Sequence, residues 1–189
     1  MVFKRLLLMA LVVLQAACVS QPQHIVGAST ARSVHELTRW QASGRIGVST
    51  SERSGSGSFV WQQDQQTSQI QLRGPVGVGS LSVSVEGSLL RLLASDGTAY
   101  DAQVAVQQMQ DQLGADLPVA QLRFWLMGVA APGEHQWRDA DKNELEQEGW
   151  LISYQQWTQR HELRLPIKLV LIRDEVRIVL VVQTWSLSA

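Results

Sequence analysis

Apolar and polar residues alternate with a period of two in several stretches of this chain. Leu81, Val83 and Val85 alternate with Ser82 and Ser84. Similar spacing recurs at positions 46 and 48, 59 and 61, 70 and 72, 150 to 154, 169 to 173 and 176 to 182. Because successive side chains of a strand point to opposite faces, each stretch predicts a half-buried β-strand.

Turn signals separate these stretches. Glu86-Gly87 and Asp96-Gly97 are dipeptides typical of hairpin turns. The Gly55–Ser58 segment reads as a bulge or turn. We therefore expect a meander of antiparallel strands between residues 44 and 100, and a second group of strands after residue 144.

Three segments have helical patterns instead. Ser33 with Glu36 three residues later fits a capping box, which predicts a short helix over 33–41. Residues 104–113 and 118–128 carry apolar residues at helical spacing. The expected fold class is α+β, a curved antiparallel sheet (an incomplete β-barrel) with a helical lid over an apolar cavity.

The N-terminus has the pattern of a secretory signal. Lys4 and Arg5 precede an apolar run at 6–14, and small residues ending at Ala17 precede Cys18. The run is too short to span a bilayer, which needs about 20 residues. Cys18 is the single cysteine and sits where a bacterial lipoprotein is lipidated. The alternatives are cleavage near Ala17 that leaves a free thiol, or a buried helix.

The predicted organisation is a signal peptide at 1–17, a lipidated N-terminus and flexible tether at 18–31, and one domain at 32–189. The 18–31 segment is polar and small. Val19 and Ser20 follow the cysteine, which among lipoproteins resembles an outer-membrane destination. The chain has 189 residues and a formal net charge of −1, which suits one domain and does not favour a nucleic-acid partner.

Catalytic and metal-binding patterns are lacking in the sequence. Its four histidines do not show His-x-x-x-His spacing, and no serine has a G-x-S-x-G elbow. Cys-x-x-Cys pairs and calcium-loop spacing are missing as well. A hydrolase assembled from separate loops is the least favoured reading. We expect a protein that is not an enzyme and has neither cofactor nor metal.

Large apolar residues are the more informative feature. The chain has seven tryptophans, which either form ordinary core or line a cavity for acyl chains. The sequence leaves both readings open. The cavity candidates are Trp61, Leu122, Trp125, Leu126, Trp150, Tyr154 and Trp185.

One turn is unusually apolar. Gly74, Pro75, Val76 and Gly77 lie between two predicted strands, where a hairpin loop is normally polar. Val76 either folds back onto the core or points into a membrane or a partner.

Several motifs together resemble the LolB family. They are Gly44-Arg45, Phe59-Val60-Trp61, Gly74–Gly77, Leu113-Gly114, Leu117-Pro118, Leu122–Gly128, Gly149-Trp150 with Tyr154, Leu165-Pro166 and Trp185. The resemblance covers roughly residues 36–185. It implies an incomplete β-barrel with a helical lid, and an outer-membrane lipoprotein that faces the periplasm.

The resemblance also implies a function. Members accept client lipoproteins from the periplasmic carrier LolA and insert them into the inner leaflet of the outer membrane, without a cofactor. Val76 matches the exposed apolar residue, usually leucine, of the family's insertion loop. Nothing in the sequence requires more than a monomer. Alternatives are a lipid carrier or sensor of the same fold that does not insert, and an envelope-assembly lipoprotein that docks partners.

Overall fold

The structure is a computed structural model that describes residues 34–74, 80–87, 89–94, 97–100, 103, 104, 107 and 118–187. The predicted signal peptide, Cys18 and the tether lie outside these residues, as do Pro75, Val76 and Gly77. None of the helices described here is long and apolar enough to cross a membrane.

One antiparallel sheet dominates the described part of the chain. Its eleven strands lie in the order β6-β5-β4-β3-β2-β1-β11-β10-β9-β8-β7. A single 3₁₀ turn, Val34–Glu36, precedes the sheet, and a helix, α1 (Val119–Leu126), lies between β6 and β7. The strands are β1 Arg39–Ser49, β2 Ser54–Asp64, β3 Thr67–Arg73, β4 Ser80–Glu86, β5 Leu89–Ala94, β6 Ala99–Tyr100, β7 Gln136–Trp137, β8 Glu144–Gln147, β9 Trp150–Arg160, β10 Leu163–Arg173 and β11 Val176–Leu187.

The alternating pattern sets which face of the sheet is buried. In β4, Leu81 and Val83 are 3% and 2% exposed, whereas Ser82 and Ser84 are half-buried on the other face. The predicted shared face of Trp150, Ile152 and Tyr154 is likewise buried. Most buried apolar residues of the strands belong to this one inner face. The described strand pairs are antiparallel, which confirms the predicted antiparallel sheet.

The first and last strands of the chain meet in the middle of the sheet. β1 pairs with β2 on one side and with β11 on the other. The register with β11 shifts between Ser43 and Gly44, which marks a β-bulge. A Cβ atom on Gly44 would overlap the carbonyl oxygen of Val181. Glycine therefore allows the two central backbones to approach each other at the bulge.

Helix α1 packs on the inner face of the sheet through Val119, Leu122, Trp125 and Leu126, which are all buried. Gly128 ends it with a positive φ of 79°. The amide of Gly128 donates to the carbonyl of Trp125, and that of Val129 donates to Phe124. This pair of bonds is a Schellman motif, so the predicted end of the helix at Gly128 is confirmed.

Two local predictions are wrong. The 33–41 helix is replaced by the 3₁₀ turn and by β1, because Trp40 and Ala42 are buried in a strand paired on both sides. The Gly55–Ser58 segment is regular β2 rather than a bulge or turn, since it pairs in continuous register with β1. In both places long-range strand pairing overrides local propensity. Of the predicted helix at 104–113, the structure describes residues 104 and 107, both helical.

Candidate functional site

An apolar space lies between α1 and the inner face of the sheet. Both the strands and the helix contribute to its wall, and its exposed lining has no polar atoms. The lining residues are Ile46, Phe59, Trp61, Ile70, Leu72, Val83, Val119, Leu122, Leu126 and Leu180. Seven of these come from β1, β2, β3, β4 and β11, so the central and one lateral part of the sheet form the floor.

The space is small. Its volume is about 30 Å³, room for one or two water molecules. With α1 in this position, apolar side chains of the helix fill most of the hollow of the sheet. The site is apolar in character, and the helix occupies it.

Three of the predicted cavity residues line this space, namely Trp61, Leu122 and Leu126. The other four are buried but do not belong to its lining: Trp125, Trp150, Tyr154 and Trp185. The seven lining residues that the prediction missed are Ile46, Phe59, Ile70, Leu72, Val83, Val119 and Leu180. Their period-two spacing within the strands, and the helical spacing of Val119 with Leu122 and Leu126, was the available signal.

Aromatic residues around the space form three packed groups, and one of them, Trp125 with Trp150, has its ring centroids 6.4 Å apart. Trp40 lies 5.9 Å from Trp61 and 5.5 Å from Trp185, measured between ring centroids. Tyr154 lies 6.1 Å from Trp137 and 5.0 Å from Trp157. Burial raises the pKa of the Tyr154 phenol. Apart from Trp61, which lines the apolar space, these aromatic residues pack around it and do not belong to its wall.

Gln147 of β8 joins the end of α1 to the sheet. Its side-chain oxygen accepts hydrogen bonds from the indole of Trp125 and the amide of Ala131, both over 2.9 Å. Its side-chain nitrogen donates to the carbonyl of Ala131 over 2.8 Å. Gln147 is 3% exposed. One of these buried hydrogen bonds therefore holds Trp125 of α1, and the other two hold the chain just beyond the helix at Ala131.

Among the described residues, the side-chain hydrogen bonds near the other end of α1 are fewer and exposed. Pro118 precedes the helix and makes no side-chain capping bond. The contact described near this end is the bond from the Gln121 amide to Glu148, which is exposed. Exposed polar contacts contribute little to stability. Within the part of the chain that the structure describes, the side-chain bonds at the two ends of α1 thus differ in burial.

A second hollow of about 190 Å³ lies on another face of α1. Arg123, Phe124 and Met127 of the helix region contribute to it, together with Leu37 and Trp40 before and within β1. The guanidinium of Arg123 lies 4.5 Å from the centroid of the Phe124 ring. The helix therefore has open space on the side away from its buried stripe.

The predicted insertion loop begins at the end of β3. The structure describes Gly74 but not the next three residues of the motif. The Cα of Gly74 lies 3.7 Å from a Cβ built on Gly57, so the loop leaves the sheet beside β2. A cluster of three or more potential metal ligands does not occur among the described residues.

Comparisons with known proteins place this architecture in a family. The family model described as outer membrane lipoprotein LolB matches residues 38–185. The "Outer-membrane lipoprotein LolB" of Alkalilimnicola ehrlichii is 36% identical over 96% of this chain and 94% of its own length. That of Marinomonas sp. (strain MWYL1) is 31% identical over the full length of both chains. Among solved structures, a LolA superfamily protein from Nitrosomonas europaea matches with a TM-score of 0.49 at 9% identity, over 81% of this chain and 87% of its own.

The family match covers more than three quarters of the sequence and includes α1, β1 to β10 and all but the last two residues of β11. It confirms the resemblance found in the sequence motifs, and it assigns the protein to the outer membrane as a lipid-anchored protein that faces the periplasm. The chain belongs to the LolB family of outer-membrane lipoproteins.

Proposed function

We propose that this protein accepts lipoproteins from a LolA-type periplasmic carrier and inserts them into the inner leaflet of the outer membrane. The observation that supports this most directly is the apolar space under α1, whose lining has no polar atoms. Such a surface offers an acyl chain the environment it has in a bilayer, without reacting with it. We accordingly propose transfer by binding alone, without catalysis and without a cofactor.

The free energy of burying acyl chains is consistent with transfer from one binding protein to the next. Burying one CH₂ group contributes about 0.8 kcal/mol, so a chain of about 14 groups favours an apolar site over water by roughly 11 kcal/mol. A lipoprotein with such chains needs an apolar site at every stage between two membranes. A receptor that matches the chains better than the carrier draws the client forward, and the bilayer then completes the transfer.

Acyl chains require α1 to move. The space of about 30 Å³ is far smaller than a chain of about 14 CH₂ groups. The Gln147 bonds hold the C-terminal end of α1, whereas an exposed bond holds the other. We infer that α1 acts as the lid and swings out at its Pro118 end.

The N-terminal anchor and the loop after β3 also have proposed roles. Cys18 is the proposed lipidated residue, and Val76, between Pro75 and Gly77, is the proposed membrane-inserting side chain. The anchor would keep the domain at the outer membrane, and the tether would let it reach a carrier. The protein is proposed to act as a monomer.

A transfer assay tests the proposal. The full chain with Cys18→Ala, purified as the cell exports it, is mixed with a LolA-type carrier loaded with a labelled lipoprotein, and then with vesicles. We expect the label to move first to this protein and then to the vesicles. Failure of the first step with both proteins folded would remove the receptor role and favour a lipid carrier or a docking protein.

The loop is tested separately with Val76→Glu. This variant should accept the label normally and release it to vesicles at least tenfold more slowly, because a carboxylate resists entry into hydrocarbon. Leu93→Glu is the matched control, since Leu93 is an apolar residue that is 47% exposed on β5. Equal delivery by the two variants would contradict the role of Val76.

A further inference from the structure

Basic residues are concentrated on the central strands of the sheet. The five adjacent strands β3, β2, β1, β11 and β10 together contain seven arginine or lysine residues and one acidic residue, Asp64. The chain as a whole has a formal net charge of −1. This concentration therefore does not follow from composition, and the acidic residues lie elsewhere.

Three of these cations form one row on the outer face of the sheet, opposite to α1. Arg45 pairs with Ser58, and Ser58 pairs with Arg73. On its other side Arg45 pairs with Val181, which pairs with Lys168. Paired residues of adjacent strands lie on the same face, and neighbouring strands are about 4.8 Å apart. The three cations thus recur on every second strand at about 10 Å intervals.

The row faces solvent. Arg45 and Arg73 are exposed and Lys168 is half-buried. Their strand neighbours on the opposite face, Ile46 and Leu72, are buried. The described part of the chain shows no ion pair to any of the three. Side chains that are long, cationic and free of an acidic partner can reach an anionic surface.

Acidic turns do not neutralise the row. Glu52 and the pair Asp174 and Glu175 lie in turns at one end of the central strands. The β1 strand continues for four residues beyond Arg45, about 13 Å. This separation exceeds the Debye length of about 8 Å at physiological ionic strength.

We propose that Arg73, Arg45 and Lys168 bind anionic phospholipid headgroups and hold the outer face of the sheet against the membrane. Arg73 directly precedes Gly74, where the proposed insertion loop begins, so the row and the loop would meet the same lipid surface. The inference rests on the proposed function, because that surface is the one into which clients would be inserted. The row supplies electrostatic attraction and orientation, and the loop supplies apolar contact.

Vesicle binding tests the row. The full chain with Cys18→Ala, as exported, is titrated with vesicles of phosphatidylcholine alone or of equal amounts of phosphatidylcholine and phosphatidylglycerol. We expect tighter binding to the anionic vesicles, and binding that weakens as salt is added. Arg45→Gln with Arg73→Gln should lower the affinity for anionic vesicles by about 30-fold, roughly fivefold for each cation. Adding Lys168→Gln should lower it further.

The control removes the same charge elsewhere. Lys142→Gln with Arg160→Gln changes two cations on the β8 and β9 side of the molecule and should leave vesicle affinity unchanged. Circular dichroism and thermal unfolding check that both double variants are folded. Equal affinity of wild type for the two kinds of vesicle, or equal loss in both double variants, would overturn the proposal.

Transfer from the carrier separates this inference from the proposed function. We expect the Arg45 and Arg73 double variant to accept a client at the wild-type rate and to deliver it poorly to anionic vesicles only. Impaired acceptance with normal vesicle binding would mean that the row binds the carrier, and would overturn the lipid proposal. A wild type that accepts no client but binds anionic vesicles through the row would keep this inference and remove the receptor role.

Discussion

The indole N–H of Trp125 donates a hydrogen bond to the side-chain oxygen of Gln147 over 2.9 Å, and both residues are buried. One residue belongs to α1 and the other to β8. The same glutamine bonds both backbone groups of Ala131. Gln147 therefore fixes where the chain leaves the helix and returns to the sheet.

Replacing Gln147 by leucine should lower the free energy of unfolding by about 3 kcal/mol, because a buried indole N–H and the backbone groups of Ala131 lose their partner. Denaturant unfolding monitored by tryptophan fluorescence measures the change. Gln121→Leu removes the exposed bond to Glu148 and should alter stability by less than about 0.5 kcal/mol. Similar losses in the two variants would contradict the anchoring role of Gln147.

Gly128→Ala should destabilise the protein more than its backbone conformation alone requires. Gly128 has a φ of 79°, and a Cβ there would lie 2.7 Å from Cζ3 of Trp157. Gly149→Ala is the control, since Gly149 has a φ of 76° but its nearest contact, the Cδ of Arg173, would be at an ordinary 3.7 Å. We expect backbone strain to lower the free energy of unfolding by about 1 kcal/mol in both variants. At Gly128 the clash with Trp157 should lower it by at least 1 kcal/mol more. Thermal unfolding of both variants decides the matter, and equal losses would show that Trp157 moves aside freely.

Much of the fold can be predicted from the sequence because strands, turns and helix ends have local sequence patterns. The alternation of Leu81 and Val83 with serines fixes a strand and its buried face, and Gly128 fixes the end of a helix. The segment around Trp40 is different, because a capping pattern favours a helix there while pairing with β2 and β11 makes it a strand. The pairing with β11 joins residues over 140 positions apart, such as Trp40 and Leu187, and a local pattern does not contain it.

The candidate site was predictable only in part for the same reason. Of the residues named from the sequence, Trp61 and Leu126 line the apolar space, whereas Trp150 and Trp185 are equally apolar and pack elsewhere. An inward-facing tryptophan has the same sequence pattern whether its side chain lines a cavity or packs against a neighbouring ring. The distinction depends on where α1 lies on the sheet. The row of Arg73, Arg45 and Lys168 depends on strand order, so it likewise could not be predicted from the sequence.

Leu122→Ala should ease the entry of an acyl chain under α1, because it removes apolar side chain that packs the helix onto the sheet. Leu122 lines the apolar space and is 4% exposed, so truncation should cost about 2–5 kcal/mol in the free protein. An added fatty acid that binds under α1 should stabilise this variant more than wild type, since a ligand stabilises the state that binds it. Thermal unfolding with and without myristate measures the gain.

The control for that experiment is Leu145→Ala. Leu145 is fully buried but does not line the space, so its truncation should cost a similar amount of stability. Myristate should stabilise Leu145→Ala no more than wild type. A larger gain for Leu145→Ala than for Leu122→Ala would mean that acyl chains bind away from α1.

Tyr154→Phe should leave the protein as stable as wild type at pH 7 or more stable, by up to about 2 kcal/mol. Its ring packs against Trp157 and Trp137, contacts that phenylalanine keeps. Its hydroxyl is buried and has no hydrogen-bond partner among the described residues, and an unsatisfied buried hydroxyl is costly.

Burial also raises the pKa of the Tyr154 phenol. The folded state then keeps the proton above pH of about 10, where the unfolded chain releases it. Wild-type stability should therefore fall as pH rises above about 10, and this part of the fall should be missing in Tyr154→Phe. Denaturant unfolding between neutral and alkaline pH measures both effects, with Tyr100→Phe as the control for the other tyrosine. A loss of more than about 1 kcal/mol at pH 7 would show instead that the hydroxyl is satisfied in solution.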